Sequence, residues 1–346
     1  MKATCFVEPG RVAIEDRPRP TIQDPTDAVV KITKAAICGS DLHFVHGKFP
    51  MAPGFVLGHE ILGVVEDVGR DVHAVKPGDR VVVSDLVACG TCWFCQRRYF
   101  VNCVHSQTFG GGEAMGNLPG GQAEFVRVPF ADTTCGIPPA AMSDEQALFV
   151  GDILVTGYTC AKNGDIQPDD TVVVIGCGPV GVFAQMCARL FGPAQVIAVD
   201  MVPARLELAK RFGSIPVDGS DPKAARKKVR ELTGGRGADV ALEAVGGEAP
   251  FQSAGMFLRP KGHLSVVGVS GRTSIGLPAA HALSGEWTIR FGLGDSPRYR
   301  DEVFALIAAG KLEPERIITH RMTLDDAPRG YEMFDRREAF KVVLTP

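Results

Sequence analysis

The sequence predicts an α/β fold in two parts, a β-rich first half and a doubly wound second half on a parallel sheet. Three observations predict it. Short β-prone segments between Gly/Pro turns fill the first half, and from residue 171 onward strands and helices alternate. At the change stands "TVVVIGCGPVG" (171–181), a β-branched run leading straight into three spaced glycines. Strands buried on both faces read as such unbroken apolar runs, and strand–helix alternation builds doubly wound sheets.

In the first half, "DAVVKITKAAIC" (27–38), "PGDRVVVSD" (77–85) and "GGQAEFVRVP" (120–129) are expected strands. "FGGGEAMGNLPGG" (109–121) reads as a glycine-rich loop, flexible by composition, with a lid or a subunit contact as alternatives. In the second half, "TVVVIG" (171–176) is a buried strand and "VFAQMCARLFG" an apolar helix ending at Gly192. "QVIAVD" (195–200) is a second buried strand ending in an acid. "ADVALEAVG" (238–246), "GHLSVVGVS" (262–270) and "WTIRFGLG" (287–294) continue the sheet, with helices such as "PKAARKKVREL" (222–232) between them. A helix at "YRDEVFALIAAGKL" (299–312) and a strand at "KVVLT" (341–345) close the chain. There is no internal repeat and no low-complexity segment.

The 346 residues are 45% hydrophobic and 22% charged, with a net charge of −3, the balance of an ordinary globular chain large enough for two cores. No cationic excess points to nucleic acid or an anionic membrane. The basic helix at 222–232 is read as a solvated crossover face. The opening "MKATCFVEPGRVAIED" alternates, carries acids early and lacks a signal-peptide core, and no apolar run reaches membrane-spanning length. A cytoplasmic location is expected, where reducing conditions disfavour disulfides.

Cys89, Cys92, Cys95 and Cys103, spaced C-x2-C-x2-C-x7-C in "ACGTCWFCQRRYFVNCV" (88–104), suit one tetrahedral zinc with no open position. Reduced buried thiols, or disulfides in an exported chain, are the alternatives. A closed four-thiolate site is structural. The remaining thiols Cys5, Cys135, Cys160, Cys177 and Cys187 show no such grouping and read as packed, reduced residues.

Gly176, Gly178 and Gly181 match G-x-G-x-x-G between a strand and a helix, with Pro179 and Val180 opening that helix. The first glycine allows the turn, the second lets backbone approach a pyrophosphate, and the third lets helix and strand pack. Helix N-terminal amides then face the phosphates. Asp200 falls 24 residues after Gly176, at the end of the next strand. There it is expected to accept hydrogen bonds from the adenosine ribose and to repel a 2′-phosphate, which predicts NAD over NADP. Arg205 argues slightly the other way, because a nearby arginine can serve a phosphate.

Cys38, His59 and Glu60 are further ligand types, in "AAICGSDLHFVHG" (35–47) and "GFVLGHEILGVVEDVG" (54–69). Together they support a second metal site. At this point the sequence resembles the zinc-containing medium-chain alcohol dehydrogenases. "GHEILGVVEDVGRDV" resembles that family's signature through Gly58, His59, Glu60, Gly63, Gly69 and Val72. "CGSDLH" (38–43) resembles its first ligand segment, and "GDILVTGYTC" (151–160) the entry to its cofactor domain. The resemblance runs through essentially the whole chain.

The resemblance implies a GroES-like catalytic domain at 1–152 and 291–346, with a structural-zinc lobe at about 86–106, and a Rossmann domain at 153–290. Catalysis is expected between the two. The resemblance implies Cys38, His59 and Asp152 as ligands of a catalytic zinc, where many members have cysteine in place of Asp152, so that two zincs are expected per chain. Three protein ligands leave a position for an alcohol, whose alkoxide gives a hydride to nicotinamide. Ser40 is expected to take the alcohol's proton and His43 to pass it to solvent through the cofactor ribose. Glu60 either approaches the metal transiently or pairs with a base beside it, and Asp41 braces the ligand loop. Thr156, Val267, Gly268, Val269 and Phe291 are expected around the nicotinamide, Arg205 by the ribose, and Lys341 at the pyrophosphate. Phe49 and Asp85 fall at substrate-channel positions.

The implied reaction is reversible, NAD-linked oxidation of a small-molecule alcohol to an aldehyde or ketone, by a homotetramer. A related polyol or threonine-type amino-alcohol dehydrogenase is the nearest alternative. A zinc-ribbon binding protein would show a basic, aromatic-laced surface, which the chain lacks. A zinc-free quinone reductase of the same superfamily has no use for Cys38, His59, Asp152 and the cysteine lobe.

Overall fold

The computed structural model describes residues 1–271 and 274–346. They form two units, Met1–Val155 with Asp295–Pro346, and Thr156–Gly294. The strands in chain order are β1 (Lys2–Glu8), β2 (Arg11–Asp16), β3 (Ala28–Ala36), β4 (Phe55–Val56), β5 (Glu60–Val68), β6 (Arg80–Val83), β7 (Phe125–Val128) and β8 (Cys135–Gly136). They continue with β9 (Thr171–Ile175), β10 (Gln195–Asp200), β11 (Ile215–Asp218), β12 (Ala238–Glu243), β13 (Leu258–Val266), β14 (Thr288–Phe291), β15 (His320–Thr323) and β16 (Val342–Thr345). The predicted α/β class is the observed one.

The first unit holds two sheets, β2-β1-β4 and β15-β16-β3-β5-β6-β8, with β7 also paired to β3. Alternate residues of these strands, among them Val30, Ile32, Ile61, Val81, Val83, Val126 and Val128, meet in one core with Cys5, Phe109 and Leu118. Each fully buried aliphatic side chain there contributes about 1.5–3 kcal/mol. β3 and β5 run antiparallel with Ala36 opposite Glu60, through two register shifts. β16 lies on the other side of β3, with Val343 opposite Ala36.

The segment 109–121 differs from the flexible loop expected of its composition. The amides of Gly120, Gly121 and Gln122 donate to the carbonyls of Val56, Gly58 and Leu57, so the loop is fastened along that segment. Its glycines serve close backbone approach.

The second unit is a six-stranded sheet in the order β11-β10-β9-β12-β13-β14. Its pairings are parallel throughout. β9 and β12 are buried along their whole length, as central strands covered on both faces must be. Strand order reverses between β9 and β12, which leaves a crevice at the carboxyl ends of the strands. In the helix Pro222–Leu232 only Ala225 and Val229 are buried; Lys223, Lys227, Lys228 and Arg230 are exposed, as a solvated helix face would have them, and Arg226 is half-buried.

Most strands are shorter than the segments read from the sequence, and two boundaries have a clear physical cause. β13 ends at Val266, because the amides of Val267 and Gly268 turn to the carbonyl of Glu243. The helix expected from 299 begins at Ser296, where the Asp295 side chain accepts from the Arg298 amide and Pro297 fits the first turn. Among the described residues no helix is long and apolar enough to cross a membrane.

Candidate functional site

Cys89, Cys92, Cys95 and Cys103 bring their sulfurs within 4.8 Å of one another. Cys89 Sγ lies 4.0 Å from Cys95 Sγ, and Cys92 Sγ lies 4.0 Å from Cys103 Sγ. Tetrahedral zinc with bonds of about 2.3 Å sets sulfurs about 3.8 Å apart, so the donor set fits that ion. Backbone amides also point at the sulfurs: Cys89 to Cys103 at 3.2 Å and Cys92 to Cys89 at 3.3 Å. Donors aimed at sulfur favour thiolate, and the amide of Cys95 leads in pulling the Cys92 thiol down to about 6. All ten cysteines are free thiols.

A second donor group lies in the same unit, where Cys38, His59, Glu60 and Asp152, all buried, place ligand atoms within 4.8 Å of one another. The sheet explains the meeting. Cys38 follows β3 and His59 precedes β5, and the Ala36–Glu60 pairing sets the two side by side. Asp152 follows a turn held by the Asp85 amide, which donates to the Gly151 carbonyl just beyond β6. Asp152 Oδ2 lies 3.3 Å from His59 Nε2 and 3.7 Å from Cys38 Sγ. Ser40 Oγ faces the same point, 3.2 Å from Cys38 Sγ and 3.1 Å from His59 Nε2.

Surrounding groups orient these donors. His59 Nδ1 donates to Asp41 Oδ1 at 3.1 Å, while the Cys38 amide donates to Asp41 Oδ2 at 3.0 Å. Burial would lower the His59 pKa, but Asp41 and Cys38 outweigh it and raise it well above its ordinary value. Burial would likewise raise Asp41; His59 and the Cys38 amide hold it below the usual carboxylate range. Glu60 is fully buried, with Oε1 2.5 Å from Lys341 Nζ and Oε2 without a hydrogen-bond partner. Burial, reinforced by Asp152 and opposed by Lys341, lifts the Glu60 carboxyl to about 7.

Lys341 corrects an expectation. It was assigned to a cofactor pyrophosphate, but its side chain is fully buried and its ammonium is held by Glu60 and the Ile37 carbonyl at 2.8 Å. The physical reason is the placement of β16 against β3, which points Lys341 into the interior beside the ligand loop. Of the two readings of Glu60, this contact is the one with a base beside it. Asp85 has one buried carboxyl oxygen without a partner, and burial followed by Asp152 pushes its pKa well up.

The donor chemistry fits zinc here as well. One thiol, one imidazole and one carboxylate form a borderline-soft set. Buried acids outnumber buried cations, and uncompensated buried charge is costly. A dication among Cys38, His59 and Asp152 offsets that charge.

His43 is half-buried on the first turn after Ser40, 6.0 Å edge-on from Phe49 and with Nδ1 3.5 Å from Lys48 Nζ. Burial, then Lys48 and His46, lower its pKa and keep the ring neutral. His46 turns away to Asp335 at 3.1 Å.

In the second unit, β9 ends at Ile175 and the helix Pro179–Ala188 opens within four residues, with Gly176, Gly178 and Gly181 at that turn. A Cβ on Gly181 would collide with the Gly176 carbonyl, so only glycine fits there. Asp200 Oδ2 accepts from the Cys177 amide at 2.7 Å, and Oδ1 accepts from the Val202 amide at 2.9 Å. These bonds fix the carboxylate beside the glycine turn and leave lone pairs for hydroxyl donors. Arg205 lies against Gly178, its guanidinium 3.9 Å from where a Cβ would stand. Ile175, Glu243, Val266 and Phe291 pair in one row across β9, β12, β13 and β14. Val267, Gly268 and Val269 therefore issue from the same carboxyl edge as the glycine turn. Val267 is buried, Val269 and Phe291 are exposed, and Thr156 packs against Gly294.

Sequence reasoning missed Glu243, whose buried Oε1 accepts from the amides of Val245 and Gly246 at 2.7 and 2.8 Å. An acid closing an apolar strand ahead of two glycines was its only signal. Gln122 and Tyr331, which reach Asp41, were missed as well.

Comparison with known proteins finds the same two-part organisation. Residues 24–139 match the alcohol dehydrogenase GroES-like domain and residues 179–309 the zinc-binding dehydrogenase domain. The chain is 36% identical to an uncharacterized zinc-type alcohol dehydrogenase-like protein of Bacillus subtilis, covering 100% of both chains. It is 35% identical to an alcohol dehydrogenase of Cupriavidus necator, over 100% of this chain and 99% of the other. The solved alcohol dehydrogenase TADH from Thermus sp. ATN1 superposes with a TM-score of 0.95 at 44% identity, over 100% of this chain and 99% of that one. The two parts of the fold are thus a GroES-like domain and a Rossmann-type domain.

Proposed function

Because the chain belongs to the zinc-containing medium-chain alcohol dehydrogenase family, we propose that it carries out reversible, NAD-linked oxidation of an alcohol to an aldehyde or ketone. One zinc is assigned to Cys38, His59 and Asp152 and a second to Cys89, Cys92, Cys95 and Cys103. The observation that carries the proposal is the convergence of three buried donors of different chemistry beside the Ser40 hydroxyl.

Zinc supplies Lewis acidity to an oxygen placed at its open position. The chain's own residues do the rest. Cys38, His59 and Asp152 hold the donor geometry, and Asp41 keeps the His59 proton on Nδ1 so that Nε2 faces the centre. Ser40 Oγ both accepts and donates, so it takes the substrate's proton as it passes its own on. His43, whose pKa is lowered by burial and by the Lys48 ammonium, receives that proton and releases it to solvent. Lys341 holds Glu60 Oε1 beside the donors, and a metal-binding role for Glu60 is left to the moments when that ion pair opens.

The nicotinamide cofactor is assigned to the carboxyl edge of the second unit, with Gly176, Gly178, Pro179, Val180 and Gly181 at the pyrophosphate. Asp200 and Arg205 lie at the ribose, and Thr156, Val267, Gly268, Val269 and Phe291 at the nicotinamide. Asp200, fixed by two amides, keeps its acidic side chain where it would repel a 2′-phosphate. Initial rates with NAD and NADP test this. The expected kcat/KM ratio favours NAD by about 100-fold, from about 1.5–3 kcal/mol per charge-assisted bond. A preference for NADP contradicts it.

The unpartnered oxygen of Asp85 favours a substrate carrying a second polar group, which keeps a polyol or amino alcohol as the alternative. Replacing Asp85→Leu is expected to lower kcat/KM for diols and amino alcohols on the order of 10- to 100-fold relative to simple alcohols. An unchanged alcohol panel contradicts the role. A cytoplasmic homotetramer completes the reading. β14 is an edge strand, and Leu277, Leu283, Phe291 and Leu293 stand exposed near it in sequence. Light scattering is expected to give four times the chain mass, and a monomer mass counts against it.

A further inference from the structure

We infer that Gln122 and Tyr331 are positioning residues for the imidazole of His59, acting through Asp41. This rests on the assignment of zinc to Cys38, His59 and Asp152. Tyr331, on the helix Ala327–Asp335, donates its hydroxyl proton to Gln122 Oε1 at 2.8 Å. Gln122 Nε2 donates to Asp41 Oδ2 at 3.2 Å and to the Ala36 carbonyl at 3.1 Å. Asp41 then offers Oδ1 to His59 Nδ1 at 3.1 Å. All four residues are buried, Gln122 completely.

The order of donors fixes the arrangement. A carboxamide has two nearly isosteric orientations, and only its partners choose between them. Turned over, Gln122 would set its oxygen against the Asp41 carboxylate and the Ala36 carbonyl. Both would be buried acceptor-on-acceptor contacts, and its amino group would face the Tyr331 hydroxyl. The Asp41 carboxylate and the Ala36 carbonyl, which only accept, therefore set the orientation of the amide. Tyr331 supplies the donor that its oxygen then needs, and the amide holds Oδ2 of Asp41 together with the Cys38 amide at 3.0 Å. Oδ1 is left in place for the imidazole, which fixes the tautomer.

Gln122 also sets the backbone beneath the ring. Gly58, next to His59, has φ +94°, and a Cβ there would overlap Gln122 Cγ. The Gln122 amide donates to the Leu57 carbonyl at 2.9 Å. One side chain thus supports the imidazole from two directions, through its carboxylate partner and through the backbone that carries it. The close packing of the glycine-rich loop has its use here, because it delivers Gln122.

The test uses the full-length protein loaded with zinc, and follows metal transfer to a coloured chelator for wild type, Gln122→Met, Tyr331→Phe and the double variant. Visible spectra of cobalt-substituted protein are recorded in parallel. Gln122→Met is expected to speed loss of one zinc about 10- to 100-fold, the range for groups that orient metal ligands. The other zinc, in the cysteine lobe, should leave at the wild-type rate. Tyr331→Phe should act in the same direction with a smaller factor, and the double variant should resemble Gln122→Met, because the two act as one unit. The cobalt spectrum should shift in both single variants.

Equal acceleration of both zincs, wild-type rates, or effects that multiply in the double variant would each overturn the positioning role. If Gln122→Met does not fold, Tyr331→Phe decides the matter by the same two readouts. A wild type holding zinc only in the cysteine lobe refutes the underlying zinc assignment instead, so the two failures are distinct.

Discussion

Replacement of Cys38→Ala is expected to leave a folded protein with one zinc per chain and activity lowered on the order of 1,000-fold. The size follows from the several kcal/mol that a metal contributes at a reacting oxygen, at about 1.4 kcal/mol per factor of ten. The loss is specific because of where Cys38 sits. It lies beyond the end of β3, so its side chain can be shortened without breaking the pairing of Ala36 with Glu60. What remains is a buried set of Asp41, Glu60 and Asp152 facing His59 and Lys341, which holds a dication poorly with one anionic donor removed. The same loss is expected for Asp152→Ala, and retention of two zincs in that variant refutes the assignment of Asp152 as a ligand. Metal content by emission spectroscopy, beside steady-state rates, measures both.

Replacement of Cys95→Ser is expected to act on stability. The four sulfurs hold a lobe with short helical turns and few buried side chains: Ala88, Cys89, Cys95 and Cys103, with Cys92, Phe100 and Phe130 packed against them. So small a cluster cannot order the surrounding residues without the metal, because binding free energy there is folding free energy. Removing one partner from a buried charged group costs about 3–5 kcal/mol. For a unit of this size that lowers Tm on the order of 10 °C. Hydrogen exchange should lose protection first in the segment from Ala88 to Val104, with the six-stranded sheet of the second unit unaffected. A Tm within about 1 °C of wild type contradicts a structural zinc in this lobe.

Much of the fold was legible because its signals are local. The unbroken β-branched run of β9, the glycine turn after it and Asp200 closing β10 lie within one strand–helix–strand unit. The structure places them where periodicity and turn chemistry put them. The cysteine lobe was legible for the same reason, its four ligands falling within fifteen residues. The glycine-rich segment was misread because composition reports freedom in isolation, whereas here it allows backbone to lie against Leu57 and Gly58.

The second donor group was only partly legible. Cys38 and His59 announce themselves as ligand types, but their meeting depends on a β3–β5 register interrupted by two shifts, which no alternation pattern reveals. Lys341 was misplaced because its family position suggested a phosphate partner, while the packing of β16 on β3 turns its ammonium to Glu60. Gln122 and Tyr331 carried no signal. They lie 81 and 209 residues from the partners they bond, and a glutamine after two glycines or a tyrosine on an amphipathic helix reads as ordinary packing.

Catalysis as proposed requires Cys38, His59 and Asp152 to converge on one metal ion with a position left open. Anomalous diffraction at the zinc edge, from crystals of the purified protein, measures this directly. Two peaks per chain are predicted, one among the four cysteine sulfurs and one about 2.0–2.3 Å from Cys38 Sγ, His59 Nε2 and an Asp152 oxygen. A fully active protein with a peak in the cysteine lobe alone would contradict it.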